Sequence, residues 1–221
     1  MDAIITAAGK NSRMINDFKK MNKTPIHKLK LKINDKEILI HTLDNILESD
    51  IDNITVILGN FREEIYELLK EYGMLNKVTV KYNKNNDVGL SQSIITGLDG
   101  CSDKYYFFGA ADQPTITSNT INSMIERLEN SPRPQNTISI LARRKTGWLE
   151  SAEGLGMPFC CYGKLLYNYL KDENDNLNPI LRKMIKENVD FYGVEANNKL
   201  ELLNINCYEE YLNIKKEIEE R

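Results

Sequence analysis

Apolar positions along the chain fall into two kinds of run. Ala3–Thr6, Ile54–Leu58, Lys77–Tyr82, Tyr105–Phe108, Thr137–Leu141 and Asp190–Val194 are short stretches rich in aliphatic, β-branched and aromatic residues, which predict strands. Ile54–Leu58 is apolar throughout, the pattern of a strand covered on both faces. Between these runs, Ile38–Leu47, Phe61–Tyr72, Ser91–Leu98, Ser118–Leu128, Leu165–Leu170, Pro179–Lys186 and Tyr208–Glu219 read as helices. Leu29–Ile33 alternates apolar and charged residues, and Asn34-Asp35 supplies a turn after it; Asp87-Val88-Gly89 supplies another. Ala7–Met14 is a loop of small and polar residues. Strands separated by helix-length segments predict right-handed crossovers and an α/β fold: a Rossmann-like three-layer αβα sandwich around a mostly parallel sheet. Asn130–Asn136 and Arg143–Gly156 read as loops inside one domain, so residues 1–221 form a single unit. In such sheets ligands sit at the carboxyl ends of the strands. The loops after Thr6, Tyr82 and Phe108 are therefore expected to line one cleft.

Composition narrows the function. The 221 residues carry 29 Lys and Arg against 32 Asp and Glu, for a net charge of −3. That excludes the basic footprint of a nucleic-acid-binding protein but leaves room for a small cationic cleft. No stretch approaches the ~18 uncharged apolar residues of a membrane span. The start, MDAIITAAG, lacks the basic residues and long apolar segment of a secretory signal. Cys101, Cys160, Cys161 and Cys207 show no Cys-x-x-Cys spacing, which argues against a zinc knuckle or a disulfide framework and for reduced thiols in the cytoplasm. Of the two histidines, His27 and His41, the latter sits among apolar residues at helical spacing and reads as packed or capping. A Ser-His-Asp triad or a His-based metal site has almost nothing to draw on.

Three segments carry chemistry. In Thr6-Ala7-Ala8-Gly9-Lys10-Asn11-Ser12-Arg13-Met14 a strand runs into a bare backbone that lets phosphates approach main-chain N–H groups, and Arg13 can grip phosphate oxygens in bidentate fashion. A strand–turn–helix with exposed charges is the plainer reading. The segment has neither the P-loop pattern nor G-x-G-x-x-G. Gly109-Ala110-Ala111-Asp112-Gln113-Pro114 puts a carboxylate at a strand's carboxyl end, where it can hold a divalent cation against a nucleotide; Asp and Pro are also ordinary turn formers. Asn83 to Ser93 includes Ser91, which can cap the helix that follows.

In this order, the three segments resemble the MobA-like nucleotidyltransferases of molybdenum-cofactor maturation, most closely the cytidylyltransferase branch. The first loop matches the family form (L/T)AAGxSxRMG, and Ala111–Pro114 matches Ala-Asp-Gln-Pro. Lys28-Leu29, the turn Asn34-Asp35-Lys36, the segment Asn83–Ile94 and Gly156-Met157-Pro158 extend the likeness over roughly residues 2 to 212. The departures are specific. Asn11 stands where small residues are common, and Ile15 replaces a Gly. An insertion, Asn16–Ile26, leaves Lys28 and Lys30 as rivals for the family lysine. Asn204 and Asn206 stand where the family carries aspartates; a carboxamide oxygen can still ligate a cation.

The resemblance implies the nucleotide-diphospho-sugar transferase type of fold and transfer of CMP from CTP to the phosphate of molybdopterin, with release of pyrophosphate. Arg13, Lys28 and Asp112 would be catalytic. Thr6, Ala7, Ala8, Gly9, Ser12, Arg13, Lys28, Asn83, Gly89, Ser91, Ser93 and Ala111 would bind the nucleotide. Asp112, Asn204 and Asn206 would hold Mg2+, or Mn2+ in its place. Gln113, Pro114, Gly156 and Pro158 would meet the acceptor. A molybdenum hydroxylase apoenzyme would be a transient partner; nucleic acid and membranes would not. The Thr-Ala-Ala-Gly form of the first loop favours CTP, since the GTP-using branch has Leu-Ala-Gly-Gly. Three alternatives stand beside this: a guanylyltransferase, an isoprenoid or sugar-phosphate nucleotidyltransferase, and a non-catalytic carrier of the cofactor. Trp148, in the basic stretch Arg143–Trp148, reads as a packed surface residue, with a pterin clamp as the sharper alternative.

Overall fold

A computed structural model describes residues 1–85, 88–98, 103–152, 154–173 and 176–220. Cys101 and Asp87 lie outside the described residues. The strands are β1 (Asp2–Ala7), β2 (Lys32–Ile33), β3 (Lys36–Glu37), β4 (Asn53–Leu58), β5 (Val78–Tyr82), β6 (Tyr105–Ala110), β7 (Thr137–Leu141), β8 (Gly147–Trp148), β9 (Phe159–Tyr162) and β10 (Asp190–Val194). The helices are α1 (Ser12–Lys20), α2 (Ile38–Leu47), α3 (Arg62–Glu71), α4 (Leu90–Leu98), α5 (Ser118–Glu129), α6 (Gly163–Leu170), α7 (Leu177–Lys186) and α8 (Tyr208–Glu219). Eight strands form one sheet in the order β5-β4-β1-β6-β9-β7-β10-β8, and β2 and β3 form a separate hairpin. That hairpin turns at Asn34 and Asp35, both at positive φ (48° and 60°), as its tight connection requires.

The sheet is parallel except at β8 and β9. The antiparallel β9 lies between β6 and β7, with Phe108 opposite Phe159 and Ile140 opposite Phe159. Because β9 runs backwards, the segment leading into it, Gly156-Met157-Pro158, lies at the edge where β6 and β7 end. An all-parallel strand would have put that segment at the opposite edge. The central strands are buried on both faces: Ile4, Ile5, Val56, Phe107, Phe108, Ile138, Ile140 and Phe159 are at most 1% exposed. Phe108 and Phe159 stack across the strand pair at 5.0 Å. Cys160 and Cys161 are fully buried thiols of this core, and burial pushes both pKa values up. His41 bonds the Ile33 carbonyl at 2.7 Å, the satisfied histidine its helical spacing predicts.

Two segments differ from the sequence pattern. The alternating Leu29–Ile33 is mostly a 3-10 turn over Lys28–Lys30, and only Lys32–Ile33 is extended. The insertion begins inside α1, which buries Met14 and Phe18. Among the described residues, no helix is long and apolar enough to cross a membrane.

Candidate active site

Main-chain bonds carry the sheet's order into its loops. Ala111 N–H donates to Thr6 O (3.1 Å), Asn83 N–H to Leu58 O (2.9 Å) and Ile205 N–H to Asp112 O (3.0 Å). The first loop is held from beneath by Gly59, where a Cβ would stand 2.8 Å from Ala8 Cβ and 2.9 Å from Ala8 O. At Gly9 the space a side chain would take is open, so the bare backbone of this loop faces a cavity.

Asn11 adopts the left-handed region (φ 56°, ψ 20°) as the loop turns into α1, a conformation Asn tolerates better than most residues. Its carboxamide oxygen accepts from Lys28 N–H (3.3 Å) and its nitrogen donates to Ile26 O (3.4 Å). His27 sits beside it, with Nδ1 accepting from Leu29 N–H (3.3 Å) and the ring against Phe61 (4.8 Å). Burial, aided by Lys28 and Lys30 and opposed by a hydrogen bond to the Gly9 main chain, brings the His27 pKa down to about 4. The ring is therefore neutral at physiological pH. These two side chains bend the chain into the 3-10 turn and aim Lys28 inward. Lys30 points out, 3.9 Å from Glu64, so of the two lysines only Lys28 lines the cavity described below.

Lys28 Nζ pairs with Asp112 Oδ2 and donates to Asn206 Oδ1 at 3.4 Å. Asp112 Oδ1 accepts from Asn204 Nδ2 (3.4 Å). Asn204 Oδ1 accepts from Gln113 Nε2 (3.3 Å) and from the Arg143 guanidinium (3.4 Å). A carboxylate only accepts and a guanidinium only donates, so these neighbours dictate the orientation of Asn204. Arg143 also donates to Leu202 O, and partial burial lowers its pKa.

Asp112 Oδ2 and Asn206 Oδ1 thus converge on a single cation, the Lys28 ammonium. Two hard oxygen donors, with other positions left to phosphate oxygens and water, suit Mg2+. Asn204 does not fit as a further ligand, because its oxygen is turned away toward Arg143. Among the described residues, no group of three or more His, Cys, Asp or Glu side chains could hold a metal by themselves.

A cavity of about 270 Å3 lies over the carboxyl ends of β1 and β6. Of the expected site residues, Thr6, Ala7, Ala8, Gly9, Lys28, Ser93, Ala111, Asp112 and Asn204 line it. A second cavity of about 690 Å3 shares Leu90, Met157 and Asn204 with the first and takes in Arg13, Gly156 and Asn206. The remaining expected residues line neither. Ser12 is exposed on α1. Asn83 donates to Ser93 Oγ (3.0 Å), Gly89 O accepts from Ser93 N–H (3.3 Å), and Ser91 Oγ donates to Glu173 O (3.1 Å). These three support the cavity wall. Gln113, Pro114 and Pro158, expected to meet an acceptor, are buried in loop packing: Pro114 O accepts from Asn45 (3.0 Å) and Pro158 O from Leu141 N–H (3.2 Å). Trp148 is 47% exposed, edge-on to Tyr192, and lines neither cavity.

Sequence reasoning passed over Gly59, His27 and Arg143 and treated Asn11 only as a departure. For Asn11 a local signal existed, a left-handed-tolerant residue in a strand-to-helix turn. For Arg143, which follows β7, there was none, since its partner Asn204 lies 61 positions away in the chain.

The chain is similar to a nucleotidyl transferase from Methanothermobacter thermautotroptrophicus: 35% identity, 99% of this chain and 97% of that one covered, TM-score 0.90. The 2-C-methyl-D-erythritol 4-phosphate cytidylyltransferase of Lachnoclostridium phytofermentans is 27% identical over 226 residues, 96% of this chain and 89% of that protein. The bifunctional protein GlmU of Clostridium novyi is 28% identical over 125 residues, 56% of this chain, which spans only 25% of that relative. Residues 3–189 match the MobA-like NTP transferase domain. The bare first loop and the carboxylate at the end of β6 both fall inside that match, and the chain belongs to the MobA-like NTP transferase family.

Proposed function

We propose that this nucleotidyltransferase moves CMP from CTP to the phosphate of an acceptor, in the presence of Mg2+, and that molybdopterin is that acceptor. The observation that carries the reading is the meeting of Lys28 and Asp112, in a cavity lined by Thr6–Gly9, with Asn206 of the adjoining cavity. In the reaction an acceptor phosphate oxygen bonds to the α-phosphorus while the bond from that phosphorus to the β-phosphate bridging oxygen breaks. Pyrophosphate leaves with the bonding electrons. The acceptor is already anionic, so no general base is needed, and the work is positioning and charge stabilisation. The Ala8 and Gly9 amides would hold the β and γ phosphates, with Arg13 beyond them. Lys28 would stabilise charge at the α-phosphate. Mg2+ held by Asp112 and Asn206 would neutralise phosphate charge and polarise the α-phosphoryl group. Selection of CTP rests on the Thr-Ala-Ala-Gly form of the first loop. A cytoplasmic setting and transient contact with a molybdenum hydroxylase apoenzyme follow from the same resemblance.

A second reading concerns the acceptor alone. The larger cavity presents Asn178, Asn206, Asn213 and Glu210, and no aromatic ring is among its lining residues. Carboxamides suit the hydroxyls of a sugar or polyol phosphate, whereas a planar pterin is commonly held by stacking. Pyrophosphate release separates the readings: the protein is incubated with CTP, GTP, ATP or UTP, with and without Mg2+, and with molybdopterin or a sugar phosphate. Release that needs CTP, Mg2+ and molybdopterin supports the first reading. Release only with a sugar phosphate moves the acceptor to the second. Release with GTP alone replaces the nucleotide, and none with any pair leaves the non-catalytic carrier.

A further inference from the structure

Arg143 is a half-buried guanidinium that forms no ion pair among the described residues. Its two described partners, Leu202 O and Asn204 Oδ1, are neutral. Glu210, a carboxylate on the same cavity, is committed elsewhere: its Oε2 accepts from Asn206 N–H (2.6 Å) and Cys207 N–H (3.1 Å) at the start of α8. A partly desolvated cation without a counter-ion costs free energy unless a ligand supplies the charge. A guanidinium has five donors in a planar fork, and the two protein contacts fix its plane while leaving others for an oxyanion.

Its position specifies which oxyanion. The sheet order runs β1-β6-β9-β7, with the first loop following β1, Asp112 following β6 and Arg143 following β7. Arg143 therefore stands about 10 Å, two strand spacings, from the β6 end, on the side away from the first loop. Asn204 spans the gap between Asp112 and Arg143 and lies in both cavities. In phosphoryl-type transfer the attacking and leaving oxygens lie roughly in line on opposite sides of phosphorus. With the leaving pyrophosphate over the first loop, the attacking group comes from the Arg143 side. We propose that Arg143 binds the anionic group of the acceptor, a phosphomonoester, and that Asn204 holds the guanidinium in register with Asp112. This rests on the nucleotidyltransferase reading above.

The test titrates methyl phosphate calorimetrically into protein saturated with Mg2+ and the α,β-methylene analogue of CTP, for wild type, Arg143→Gln and Arg143→Lys. Wild type is expected to bind methyl phosphate. Arg143→Gln should bind it at least ~10-fold more weakly, as befits loss of a charge-assisted fork, with Arg143→Lys between. Affinity for the CTP analogue should stay within about twofold in all three, since Arg143 does not line the cavity that the first loop walls. The proposal is overturned if wild type ignores methyl phosphate, if Arg143→Gln binds it as wild type does, or if both variants lose the CTP analogue in parallel. Failure of wild type to bind the CTP analogue would instead bring down the nucleotide reading, and this inference with it.

Discussion

Lys28 sits between two oxygens, and its loss would leave Asp112 with only an amide N–H beside it. Both side chains of the pair are largely shielded, 14% and 12% exposed. Breaking such a pair from one side costs about 3 kcal/mol, because a shielded carboxylate is left uncompensated. Lys28→Met should therefore lower the metal-free unfolding free energy, and Lys28→Met with Asp112→Asn should recover part of the loss. Urea unfolding of the four proteins in this double-mutant cycle measures it, and strict additivity would show that the two side chains do not interact. His27 gives a pH signature. Its folded pKa is about 4 against an ordinary 6.5, so the unfolded chain takes up this proton first on acidification. The associated stability is fully present above pH 6.5 and is lost as pH falls toward 4, about 3 kcal/mol in all. His27→Gln should flatten that window in unfolding curves collected from pH 7 to 4.

At the scale of elements, two glycines separate support of the site from support of the fold. α4 crosses β1 at Gly97, where a Cβ would stand 2.5 Å from the Cγ2 of the buried Ile4. Overpacking costs roughly 1–3 kcal/mol and the better helix propensity of Ala returns up to about 1. Gly97→Ala should thus lower stability while nucleotide affinity holds. Gly59 lies after β4 and presses on the main chain of the first loop. Gly59→Ala should displace that loop and lower turnover by about 10- to 100-fold with a smaller effect on stability. Unfolding curves and pyrophosphate release measured on both variants check the contrast; equal effects on both readouts would show that the loop's position is independent of β4.

For the whole molecule, nucleotide binding at the two cavities, as proposed above, would be a stabilising event. A nucleotide at 100 times its Kd adds about 2.7 kcal/mol, which for a chain of this length raises Tm by roughly 5–10 °C. The rise should be largest for CTP with Mg2+, and scans of the four nucleoside triphosphates with and without the ion measure it. Much of this architecture was legible beforehand. The apolar runs and helical spacings mark most strands and helices within a residue or two, as at α2, β7, β10 and α8, because local periodicity reports which face is covered, whereas α1 begins inside the segment Ala7–Met14 that reads as a loop. The bare first loop and the carboxylate of Asp112 at a strand end were legible because both are written in consecutive residues, and both line the smaller cavity. The reversal of β9 was not, since a buried apolar run reads the same in either direction. Nor was the clasp of Asn11 and His27 around Lys28, or the amide of Asn204 facing Asp112 while its oxygen faces Arg143. Apart from the His27 bond to Leu29, two positions away, these depend on partners 15 to 92 positions apart in the chain. The amino-acid order alone therefore determined most of the elements and the bare first loop, whose causes are local. Which lysine enters the site, which oxygens share a cation and where the second guanidinium stands were decided by the tertiary structure, because charge and hydrogen bonding act across space and only the folded sheet brings those groups within reach of one another.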